Sequence, residues 1–146
     1  MFDVTPLPVS PVPANIQPHV DAALARWEVV LTGDISPLTI PTDAFGSSAC
    51  GGFGEAVNGT TLDDIIMMIN IGPIDGQGNI LGQAGPCAIR TGGPDAPLPV
   101  VGFLTLDSDD LEPLVGTETL TALIFHEMGH ILGFGTLWSE IGLIEG

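Results

Sequence analysis

An α+β fold is predicted by two helical stretches and two strand-like apolar runs. Asn15 to Leu31 and Thr117 to Gly135 carry apolar residues at helical spacing. Asp64 to Ile71 (DIIMMINI) and Val100 to Asp107 (VVGFLTLD) are nearly continuous apolar runs of strand length, bounded by turn residues. The chain has 146 residues, 45% of them hydrophobic, enough for a single domain with its own core.

From the N-terminus, Phe2, Val4, Leu7 and Val9 outline a short first strand that Pro6 and Pro8 either keep at a sheet edge or end early. Pro11 and Pro13 stiffen the link to the first helix, where Asn15 is the expected N-cap and Pro18 is tolerated in the first turn. Its apolar face reads Ile16, Val20, Ala23, Leu24, Trp27 and Leu31; His19 falls off that stripe and reads as a surface residue. Thr32 to Thr61 is rich in Gly, Pro, Ser, Thr and Asp and reads as a long loop, with a short strand at Leu38-Thr39-Ile40.

The 64–71 run lacks polar alternation, so it reads as a central strand covered on both faces, with Met67 and Met68 as core filler. Gly72 to Gly85 is turn-rich. Within it Asp75-Gly76-Gln77-Gly78-Asn79 has part of a calcium-loop pattern, without its full spacing or terminal glutamate, and reads first as an exposed turn. Cys87 to Arg90 reads as a short strand and Gly92 to Pro99 as a loop. Asp107, Asp109, Asp110 and Glu112 read first as a solvated acidic loop and second as Ca2+ ligands.

The second helix carries the chemistry. His126-Glu127-Met128-Gly129-His130 places two imidazoles four residues apart, one turn above the other on one face. Both can address one Zn2+ ion, and Glu127 then stands beside the metal as a base for its water. Leu120, Leu123, Ile124, Phe125, Met128, Ile131 and Leu132 make the rest of the helix apolar nearly all round, which reads as a buried helix. The bland alternative is a pair of core histidines bonded to neighbours; burying two histidines and a glutamate together is hard to satisfy without a metal. Thr117 or Thr119 reads as the N-cap, Glu118 suits the first turn, and Gly133 suits a left-handed stop.

Composition narrows the partners. Eighteen acidic residues face only Arg26 and Arg90, a net charge of −16, which excludes nucleic acid and anionic membranes as partners. No apolar run reaches the length of a membrane span, and MFDVTPLPVS lacks the pattern of a signal peptide. Cys50 and Cys87 are read as one disulfide, which fits an oxidising, extracellular setting. Nothing in the pattern specifies an oligomeric state.

HEMGHILGFG resembles the metzincin zinc metalloproteases, and within them the leishmanolysin-like family and its bacterial relatives; ILGQAGPCAIR and VVGFLTLDSDDL are similar to the same relatives. The resemblance covers roughly residues 14 to 138. It implies a twisted mixed sheet backed by two helices, the second carrying the zinc motif. It implies His126 and His130 as zinc ligands, Glu127 as general base, and a peptide or protein substrate. Val100 to Asp107 would be the edge strand, with Gly102, Phe103, Leu104 and Thr105 binding substrate by strand addition. The compact metzincin pattern has a third histidine where this chain has Thr136; in leishmanolysin-like enzymes it follows a long insertion and precedes a methionine turn. The expectation is therefore that residues 1–146 form the N-terminal subdomain of such a catalytic domain, the C-terminal subdomain lying outside this chain. Glu140, Glu145 and His19 are substitute candidates for the third ligand. The competing function is a non-catalytic binding or adhesion domain on a zincin scaffold with a structural metal.

Overall fold

The computed structural model describes residues 1–144. Six strands and two helices follow one another as β1 (Val4–Pro8), α1 (Gln17–Val30), β2 (Leu38–Thr39), β3 (Thr61–Leu62), β4 (Ile65–Gly72), β5 (Gly82–Ile89), β6 (Pro99–Asp107) and α2 (Glu118–Ile131). Short 3-10 turns lie at Cys50–Gly52, Gly54–Val57 and Glu112–Leu114. The fold is α+β, with a four-stranded mixed sheet ordered β1-β4-β6-β5. β1, β4 and β6 run parallel, with Val4 opposite Ile65 and Ile66 opposite Val101; β5 runs antiparallel to β6.

β4 shows why its sequence lacks alternation. Ile65, Met67 and Ile69 point to one face and join Leu104 and Leu106 of β6 under the two helices. Val20, Ala23, Leu24 and Trp27 of α1 and Leu120, Ile124, Met128 and Ile131 of α2 close that core. Ile66 and Met68 point to the other face, where Ile40, Val57 and Leu62 cover them. Both sides of the strand are thus removed from water, and only apolar residues fit. The 32–61 segment is irregular, as its composition predicts, but it is a covering layer over the sheet. It is held by the β2–β3 ladder, by Phe45 bonding Asn58 through both backbone groups, and by a Cys50–Cys87 disulfide to β5 with Cα atoms 5.4 Å apart.

Several expectations are corrected. β6 is not an edge strand: it lies between β4 and β5, and the two edges are β1 and β5. The backbone of Gly102, Phe103, Leu104 and Thr105 is therefore paired on both sides. Leu104 is fully buried, Gly102 packs under Ile131 of α2, and Thr105 accepts a hydrogen bond from the Asn70 amide. Phe103 faces the opposite layer, its ring against Gly51. β5 begins at Gly82, not Cys87, because pairing with β6 overrides the low strand propensity of Gly-Gln-Ala-Gly-Pro. At α1, Ile16 rather than Asn15 occupies the cap position, and Pro13 receives the N–H groups of Ile16 and Gln17.

The acidic segment at the end of β6 is only partly a solvated loop: Asp109 and Glu112 are exposed, but the other two carboxylates are not. Asp107 is fully buried and Asp110 is 6% exposed. His19 is half-buried rather than free on the surface. Its Nε2 accepts the Gly116 N–H at 3.0 Å, so its Nδ1–H donates to Thr121 Oγ1 at 2.8 Å, tying α1 to the start of α2. No helix among the described residues is long and apolar enough to cross a membrane.

Candidate metal centre

α2 begins at Glu118, with Thr117 in extended conformation at the cap position; the Thr117 hydroxyl turns back to donate to the Leu114 carbonyl. Glu118 pairs with Arg26 across the surface between the helices. The apolar side of the helix is buried, but the helix is not covered all round. His126 and Ala122 are exposed and His130 is half-buried, so one strip of α2 opens to solvent. Sequence periodicity misses this strip because its apolar members, Ala122 and Phe125, look like core.

On that strip His126 and His130 meet. Their Nε2 atoms are 3.0 Å apart and their rings stand at 89°. Two ligand nitrogens on a tetrahedral zinc, each about 2.0–2.1 Å from the ion, are separated by about 3.3 Å. His130 Nδ1 lies 2.8 Å from the Phe134 carbonyl, an acceptor only, so Nδ1 carries the proton and Nε2 presents its lone pair. That carbonyl is positioned by the glycine turn after the helix. Gly133 has φ +105° and Gly135 φ +78°, and the Phe134 N–H returns to the Gly129 carbonyl. The helix stop thus also sets the tautomer of a candidate ligand.

Gly129, between the histidines, packs closely under Trp27. A Cβ there would lie 3.2 Å from the Trp27 ring. Trp27 stacks on Phe125 at 4.2 Å and on Phe134 at 5.5 Å, and its indole N–H donates to the Phe125 carbonyl. These aromatics, with both histidines, line an open cavity of about 390 Å³.

Glu127 points to the other side of the histidines, toward β5. It is 6% exposed, and a Cβ on Gly82 would lie 3.2 Å from Glu127 Cγ, a tight contact that the glycine relieves. Burial raises its carboxyl above the ordinary value; the nearby His126 and then His130 pull the other way. A carboxylate of raised pKa is a better proton acceptor near neutrality.

Among the described residues, Asp34, Asp63 and Asp64 are the only three Asp, Glu, His or Cys side chains whose ligand atoms converge within 4.8 Å, so His126 and His130 have no third side-chain ligand there. Glu140 is exposed, His19 is engaged by Thr121 and Gly116, and Glu145 lies outside the described residues. The Asp34 group is explained without a metal: Asp64 accepts the Asp3 and Ile35 N–H groups, one on each oxygen, and Asp34 pairs with the N-terminal amine. No family model matches the chain, and no curated protein matches it either.

Proposed function

We propose that this chain is the zinc-binding portion of a leishmanolysin-like metzincin endopeptidase. The observation that carries the reading is the pair of imidazole Nε2 atoms 3.0 Å apart, one of them fixed as an acceptor by the Phe134 carbonyl. His126 and His130 would hold the ion, and a bound zinc supplies a Lewis acid for water and the scissile carbonyl. Glu127, buried beside them, accepts the proton of the attacking water and returns it to the leaving amine. A substrate strand adds to the free edge of β5, antiparallel to it, which brings its backbone past Gly82 and hence past Glu127. The aromatic cavity on the far side of the histidines offers apolar surface next to the reacting centre. The disulfide and the acidic surface suit a secreted enzyme.

The test separates binding from catalysis. His126→Ala and His130→Ala should each abolish stoichiometric zinc by elemental analysis of residues 1–146. Glu127→Gln should keep the zinc. In a polypeptide that supplies a third ligand, Glu127→Gln should lower casein hydrolysis about 100-fold or more, the scale of general-base loss. Wild-type zinc content in either histidine variant would sink the reading. A second reading, a binding domain with a structural metal, is favoured by the lack of a third side-chain ligand among the described residues. It predicts no hydrolysis with Glu127 intact.

A further inference from the structure

We propose that the loop between β4 and β5 binds one Ca2+ ion, held by Asp110, by Asp107 beside it and by loop carbonyls. The starting point is a charge that no cationic group among the described residues neutralises. Asp107 is fully buried at the end of β6 and Asp110 is 6% exposed just after it. Asp107 accepts the N–H groups of Asp109 at 3.0 Å and Asp75 at 3.1 Å. Asp110 Oδ1 accepts the Gly78 N–H at 2.7 Å, so its carboxyl faces the loop. Its second oxygen is buried and has no hydrogen-bond partner among the described residues. A buried carboxylate oxygen without a donor is costly, and such an orphan calls for an explanation.

The protein's own cations are all committed elsewhere. Arg26 pairs with Glu118, Arg90 donates to the Ser36 and Asp64 carbonyls, and the N-terminal amine pairs with Asp34. The three histidines are those bridging the helices and those of the metal centre. The countercharge must therefore come from solution. The loop is shaped for it: Gly76 and Gly78 have φ +85° and +88°, which curl the chain over the two carboxylates. Among the described residues no hydrogen bond is donated to the carbonyls of residues 76 to 80. The donors are thus oxygens only, drawn from carboxylates and backbone of one irregular loop. That set suits Ca2+, which accepts varied oxygen geometry, better than Mg2+ or Zn2+.

The site has a consequence for the metal centre. The loop runs directly into β5, and the Asp107 N–H donates to the Leu81 carbonyl one residue before Gly82, which touches Glu127. Calcium would set where β5 enters the cleft. Titration of the protein with CaCl2 by calorimetry should show one ion per chain with Kd below about 1 mM, the range of extracellular calcium modules. Asp110→Asn keeps the Gly78 contact and should weaken binding at least 10-fold. Asp107→Asn keeps an acceptor oxygen for the Asp109 N–H and should do the same. The double variant His126→Ala/His130→Ala and the variant Asp63→Asn should bind Ca2+ as the wild type does, which separates this site from the zinc site and from the Asp34 group. No saturable uptake below about 1 mM, equal uptake of Mg2+, or unchanged affinity in Asp107→Asn and Asp110→Asn would overturn the proposal.

Discussion

Gly102→Ala tests how tightly the sheet positions the zinc helix. A Cβ at residue 102 would lie 2.3 Å from Ile131 Cγ2, 2.8 Å from the Gly85 carbonyl oxygen and 3.0 Å from Ile131 Cβ. Carbon atoms in contact sit about 3.5–4.0 Å apart, so the end of α2 must retreat by at least about 1.2 Å. Ile131 cannot swing aside, because it is fully buried and a β-branched residue in a helix has one favoured χ1. Overpacking of this kind costs about 2–3 kcal/mol, or roughly 6–10 °C in Tm for a chain of this size. The displaced residue follows His130 directly, so zinc affinity should fall about 10- to 100-fold. Urea denaturation and a competitive zinc chelator titration give the two readouts. Ile131→Leu removes the clashing methyl at nearly constant volume, and in the double variant it should restore at least about 1 kcal/mol of the loss. If Gly102→Ala lies within about 0.5 kcal/mol of wild type with unchanged zinc affinity, the proposed coupling of sheet to site is wrong.

Two more measurements follow from the rest of the fold. Reduction of Cys50–Cys87, which are 37 residues apart, should cost about 4 kcal/mol in the chain-entropy account, and thiol titration of the unfolded, unreduced protein should find no free thiol; two free thiols would exclude the bridge. Asp107 has its carboxyl held below the ordinary 3.8, chiefly by the Asp109 N–H and further by those of Asp75, Ile74 and Gly76. Its contribution is therefore fully present above pH 3.8 and is lost as pH falls through the lower folded value. In chelator, Asp107→Asn should be less stable than wild type at neutral pH, with the gap closing in acid; a gap independent of pH would refute that role.

The motif and the elements around it were legible because their signals are local. Four-residue spacing puts His126 and His130 on one side of any helix, and the unbroken apolar run at Ile65–Ile69 leaves a strand covered on both faces as the natural reading. Pro6 and Pro8 allowed a strand there only at an edge for the equally local reason that proline cannot donate to a ladder, and β1 is an edge.

What the tertiary structure decided depends on which neighbour each element meets. Periodicity says which side of a strand is apolar, but strand order is settled by contacts far apart in the chain. β6 was placed at the edge by the resemblance alone, and the glycine-rich β5, weak in propensity, was shortened although it is the strand beside Glu127. The open strip of α2 follows from how α1 and the sheet divide its circumference, which no single helix sequence records. Asp107 and Asp110 look like any exposed acidic run until the loop at residues 73–81 folds over them, because burial of a charge becomes tolerable only through backbone N–H groups supplied by that distant segment.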